Sequence, residues 1–223
     1  MTRTANAKIA GFTFLFYIAA GLTSVYLHSK AMSAEGTAAI LASVAAHATD
    51  MRVSIVLELL ECFCALVLAV TMYGITRSED NELAVFAMVC RVAEGVVGAA
   101  GLQGTLGLLW LATAGAATPD AATVNALGAY FLMPPQNAML GAPFFAVGSA
   151  IFSYLMLRGR MIPIPLAWLG VFASVLLVVT LPLQLAGFFT GPMALYVWMP
   201  MLVFEVPLAL WLLFKGVNEN AGK

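Results

Sequence analysis

Apolar residues fill this chain in long runs, and polar residues collect in short breaks between them. Six runs are long enough to cross a bilayer, at about 9–27, 51–75, 83–113, 139–157, 166–188 and 193–214. About 20 consecutive apolar residues span the hydrocarbon core as a helix, so each run predicts a transmembrane helix. The stretch from Met1 to Lys8 places Arg3 and Lys8 ahead of the first run, as in a signal peptide. That run is long and no small-x-small cleavage site follows, so it reads as an uncleaved first span.

Two breaks are longer than the rest. In the first, Gly36 to Ala46 reads as a short helix with Ile40, Leu41 and Val44 on one side, lying at the membrane surface. In the second, Thr118-Pro119-Asp120 reads as a helix start with a cap residue and Pro at the first position. A second surface helix then runs to about Phe131, ended by Pro134-Pro135. The remaining turns are short: Arg77 to Glu82, Arg158 to Pro165, and Thr190-Gly191-Pro192.

The charges orient the spans. With the N-terminus inside, cytoplasmic segments hold Arg3, Lys8, Arg77, Arg158, Arg160, Lys215 and Lys223, and external ones hold Lys30 and Arg52. That is the positive-inside pattern. The expectation is a single all-α domain over 1–223, a polytopic helical bundle with six spans, both termini cytoplasmic and two short external surface helices. A loose likeness between the first and fourth spans would make it a three-plus-three inverted repeat.

Composition agrees. The chain is 62% hydrophobic and 9% charged, with a mean hydropathy of +0.97. A soluble domain carries about 25% charged residues. No basic patch supports nucleic-acid binding. The short turns leave no room for a soluble catalytic domain. Cys62, Cys64 and Cys90 fall in apolar runs without disulfide or metal spacing. His28 and His47 lie outside the spans' interior, and no nucleophile, metal or cofactor motif is present. Enzymatic chemistry is therefore the weakest reading, and no cofactor is named.

The third run is the unusual one. At roughly 31 residues it would be about 46 Å of helix, against a core of about 30 Å. It also carries five glycines three residues apart: Gly95, Gly98, Gly101, Gly104 and Gly107. Glycine lets a neighbouring backbone or a ligand come close. The ladder is either a packing seam or a deformable segment, and it is the expected place for a break in the long helix.

Candidate chemistry lies in the same region. Arg91 and Glu94 sit one helical turn apart, Glu58 and Glu61 share a face of the second span, and Glu205 lies in the sixth. An ionised group at mid-membrane costs about 2.5–3.5 kcal/mol on insertion scales. These five groups must therefore face one another or water. One guanidinium can neutralise two carboxylates at most, so at least two acids are left to take up a proton or hold a cation. Either Arg91 ties the second, third and sixth spans together through Glu94 and Glu205, or Glu58, Glu61, Arg91, Glu94 and Glu205 form a binding site.

Several segments resemble one family. They are NAKIAGFTFLFYIAAG, CRVAEGVVG, TLGLLWLATA, RGRMIPIPLAWLGVFASVLLVVTLPLQLAGF and FEVPLALWLLFKG, together covering most of residues 5–217. In these the chain resembles the bacterial multi-pass proteins filed as domain of unknown function 4386. The resemblance implies a helical protein of the bacterial cytoplasmic membrane and brings no established reaction, cofactor or catalytic residue.

Three functions fit these observations. The first is a small transporter or permease, linked to a proton or cation, with a small-molecule ligand at the Glu/Arg site. The second is a noncatalytic membrane partner, acting as a subunit of a larger complex or a homo-oligomer. The third is an intramembrane enzyme acting on a lipid-like substrate.

Overall fold

The computed structural model describes residues 1–115, 120–132, 138–188 and 193–218. The expected helix start at Thr118-Pro119, the Pro134-Pro135 stop, the Thr190–Pro192 turn and Lys223 lie outside the described residues. Among the described residues the regular structure is helical: α1 (Arg3–Ala31), α2 (Thr37–Ala46), α3 (Ala48–Thr76), α4 (Asn81–Thr113), α5 (Ala121–Phe131), α6 (Ala142–Arg158), α7 (Ile164–Leu185), α8 (Met193–Tyr196) and α9 (Met199–Phe214). A 3₁₀ turn, Ala138–Gly141, precedes α6.

Five segments are long and apolar enough to cross a membrane: α1, α3, α4, α7, and the stretch from Met193 to Phe214 that holds α8 and α9. The chain is a multi-pass helical membrane protein. The remaining expected span, the fourth, is formed by α6, which has 17 residues, about 26 Å against a core of about 30 Å.

The long helices pack in a ring. α1 lies on α3, α3 on α4, α4 on α6, α6 on α7, α7 on α9, and α9 returns to α1. Their outer faces carry exposed Phe12, Phe63, Val70, Phe86, Phe172 and Val203, side chains that suit lipid. The inner faces bury Phe14, Leu68, Met72, Phe152, Leu177 and Leu208 in one core. Two contacts show how close the helices come. A Cβ on Gly11 of α1 would lie 2.6 Å from the Ala209 carbonyl oxygen and the Leu213 nitrogen of α9. A Cβ on Gly74 of α3 would strike the Asn6 side chain of α1. Small residues are what allow helix backbones to approach in lipid, where no hydrophobic force drives them together.

The two short helices sit at one end of the ring. α2 and α5 touch each other and α4, and Leu41, Val44, Leu108 and Leu109 form a second small core there. A Cβ on Gly128 of α5 would meet the Thr37 methyl of α2 at 2.8 Å.

α5 is capped by Asp120, with Oδ1 accepting from the Ala122 and Thr123 amides and Oδ2 from the Thr123 hydroxyl. A free carboxylate next to exposed helix amides is a better acceptor than a hydroxyl and also meets the positive end of the dipole. The Thr123 hydroxyl bond first, and then the amide bonds, hold the Asp120 carboxyl below its ordinary value of 3.8. A depressed carboxyl contributes stability above its unfolded value and loses it as pH falls through the folded one. Acidification below about pH 3.8 is therefore expected to fray α5 at its start. Amide exchange at Ala122 and Thr123 should accelerate there, and Asp120→Asn should remove that pH dependence.

Three sequence expectations change. α4 runs unbroken through the glycine ladder. Gly95, Gly98 and Gly107 are covered by packed neighbours, which favours an unbroken helix there. A Cβ on Gly95 would lie 2.9 Å from the Cys62 carbonyl, one on Gly98 3.2 Å from the Cys62 sulfur, and one on Gly107 2.6 Å from the Phe131 ring. Gly141 packs on the Glu94 backbone from α6's side. A break in hydrocarbon would also expose unpaired backbone groups.

α7 ends at Leu185, not Phe188, because Gly187 takes φ 80° and the Phe188 amide folds back to the Leu183 carbonyl at 2.9 Å. This is a glycine C-cap. The sixth span is interrupted at Val197–Trp198, and α9 restarts with Pro200 in its first turn, where the missing N–H costs no helical bond.

Candidate functional site

Each expected residue sits on a helix of the ring. Arg91 and Glu94 lie on the inner face of α4, 2% and 8% exposed. Their spacing of three brings the Arg91 Nη1 to 2.8 Å from Glu94 Oε2. The two atoms meet off the hydrogen-bonding direction, so among the described residues neither Arg91 Nη1 nor Nη2 has a hydrogen-bond partner.

The guanidinium is also held from other helices. Its carbon lies 4.8 Å from the Phe145 ring centre of α6 and 6.0 Å from that of Tyr17 on α1, both within cation–π range. Gly148 of α6 makes room for the Arg91 stem, since a Cβ there would lie 3.0 Å from Arg91 Cγ. Tyr17 donates its hydroxyl to Glu94 Oε1 at 3.2 Å.

Glu205 of α9 is 6% exposed. It does not form an ion pair with Arg91 within 4 Å among the described residues. Instead the two face a shared cavity of about 10 Å3, with Ser149 and Ser153 of α6 on its wall. That is about the size of one water molecule. Ser153 Oγ is buried and, among the described residues, has no hydrogen-bond partner. Arg91 of α4 and Glu205 of α9 therefore meet across a small, mostly apolar cavity with a few polar side chains on its wall, not in a direct salt bridge.

Glu58 and Glu61 stand apart from this group. Both are half-buried on α3 and turn toward α1. Ser24 donates to Glu58 Oε1 at 3.0 Å. Glu61 Oε2 sits 3.0 Å from where a Gly21 Cβ would be, and Glu61 Oε1 is buried without a hydrogen-bond partner among the described residues. Tyr17, Gly21 and Ser24 recur at i, i+4 and i+7, so one stripe of α1 faces Glu58 and Glu61 of α3 and Glu94 of α4. Sequence reasoning missed Tyr17 and Gly21 as partners of these acids. The stripe of polar and small residues in an otherwise apolar span was the signal that could have found them.

The arrangement holds charge at the centre of a membrane bundle with uneven partners. Arg91 is matched to Glu94, Glu94 also accepts from Tyr17, and Glu205 and Glu61 are left with no positive partner within 4 Å among the described residues. Such a site can exchange protons, and Arg91 Nη2, outside the ion pair, can donate to a polar or anionic group.

A family model described as Domain of unknown function (DUF4386) matches residues 9–216. No curated protein and no solved structure matches the chain.

Proposed function

The chain belongs to the DUF4386 family of domains of unknown function, and from that premise we propose that it is a small membrane transporter coupled to protonation of a buried carboxylate. In this reading six spans place both termini in the cytoplasm of a bacterial plasma membrane, with α2 and α5 outside. The observation that carries it is the cavity between Arg91 and Glu205, which holds a guanidinium whose Nη2 is spare beside an acid with no ion pair among the described residues.

Arg91 and Glu94 are the fixed pair. Glu205 takes up the proton, because a lone carboxylate costs more than its neutral form in this setting. A polar or anionic group of the ligand engages the free donors of Arg91 and the Ser153 hydroxyl. Glu61, with Glu58 nearer the α2/α5 end, forms the outer approach along α1. The cavity as it stands is too small for a metabolite, so binding requires α6 and α9 to part.

The test uses liposomes holding the purified protein and a trapped pH dye. A pH gradient is imposed, and amino acids, small carboxylates and quaternary amines are added in turn. One class is expected to speed dissipation of the gradient at least tenfold over protein-free liposomes. Glu205→Gln should abolish that acceleration while leaving the Arg91–Glu94 pair and the fold intact. If no class raises proton flux, or Glu205→Gln behaves as the wild type, the reading fails.

A further inference from the structure

A second cavity lies at the opposite end of the ring from α2 and α5. It is much larger, about 460 Å3, and is an open cleft bordered by the α6–α7 turn and the chain at the end of α9. The Asn218 amide donates to the Met161 carbonyl at 3.0 Å and ties the two walls together.

The walls differ in character. Met161, Ile162 and Val217 are buried and Trp211 is half-buried, so the floor is apolar. Arg160 and Lys215 are exposed at the mouth, and neither has an ion pair within 4 Å among the described residues. Among the described residues the nearby acids are otherwise placed. Asp80 lies 3.5 Å from Arg158, and Glu79 packs against Gly159. Neither acid lines the cavity. α7 begins at Ile164 beside the Pro163 wall, so the positive end of its dipole adds to the two cations.

Arg160 has a further distinction. Its φ is 48°, and it is the one non-glycine with positive φ among the described residues. Glycine takes that conformation freely and arginine does not. An arginine held there at a cost, aimed with Lys215 over an apolar floor, suits a ligand that joins a negative group to an apolar body.

We propose that this cavity is a binding site for a phosphate ester, and that the headgroup of an anionic phospholipid is its occupant. The phosphate would lie between Arg160 and Lys215, and the glycerol and upper acyl chain against Trp211 and Ile162. Basic pockets between helices at a membrane surface bind anionic headgroups by this combination. The proposal is independent of the central site, since the two cavities share no lining residue.

The experiment is a titration of the full chain in mild detergent with short-chain phosphatidylglycerol, phosphatidylcholine and inorganic phosphate, read by native mass spectrometry. Phosphatidylglycerol is expected to bind at least tenfold tighter than phosphatidylcholine. Arg160→Gln and Lys215→Gln should each weaken it roughly fivefold, the effect of one surface cation. Arg77→Gln, at the same end but outside the cavity, should leave it unchanged.

Competition by millimolar inorganic phosphate would assign the phosphate site to a soluble ester; its absence would assign it to lipid. Arg160→Gly separates binding from folding, because it relaxes the backbone. It should lose the lipid while its melting temperature stays level or rises. Equal binding by wild type, Arg160→Gln and Lys215→Gln would overturn the proposal, as would an equal loss in Arg77→Gln.

Discussion

Arg91→Gln is expected to destabilise the protein by about 3–5 kcal/mol, the usual cost of removing one member of a buried pair. The loss comes less from the missing attraction than from what is left behind. Glu94 would remain buried one turn away with only the Tyr17 hydroxyl, and Glu205 would face a cavity with no positive charge in it. Arg91 also packs on Phe145 and fills the space that Gly148 leaves. Glutamine is shorter and would leave part of that space open.

The measurement is equilibrium unfolding in mixed micelles, comparing wild type, Arg91→Gln, Glu94→Gln and the double variant. Arg91→Gln/Glu94→Gln should recover most of the loss, since it leaves no unmatched charge on α4. A single-variant loss under about 1 kcal/mol would mean that Glu94 is already neutral or hydrated, and the pair would not be the anchor described.

Gly11→Ala is expected to cost about 1–3 kcal/mol, the range for overpacking a filled seam, and Gly11→Leu more. The new Cβ would lie 2.6 Å from the Ala209 carbonyl and the Leu213 amide nitrogen. Both are backbone atoms of α9 and cannot rotate away, so the helices must separate. That seam closes the ring, and its opening would disturb the α1 stripe that begins at Tyr17. Limited proteolysis and melting temperature in detergent report the effect.

Gly104→Ala is the matched control. Nothing lies within 4 Å of its Cβ position, so it should be neutral or gain up to about 1 kcal/mol from helix propensity. Equal losses at Gly11 and Gly104 would show that backbone freedom, not close packing, is what the glycines provide.

By itself the sequence determined the transmembrane class and the presence of the long helices. It also determined the paired Arg91 and Glu94. Hydropathy is a local property, and a helix rises a fixed 1.5 Å per residue, so apolar length reports spans directly. The Arg91–Glu94 contact is equally local, being one turn of a single helix.

Tertiary structure decided the rest. The split of the acids, with Glu58 and Glu61 against α1 and Glu205 across a cavity from Arg91, depends on how each helix is rotated. In a span apolar on every side, rotation leaves almost no trace in the residue pattern, because lipid and the helix interior accept the same side chains. The unbroken α4 follows from the same cause. Five glycines mark a helix that something approaches closely, but only the packed neighbours, Cys62, Phe131 and Gly141, show that the approach comes from other helices and turns and leaves the backbone whole.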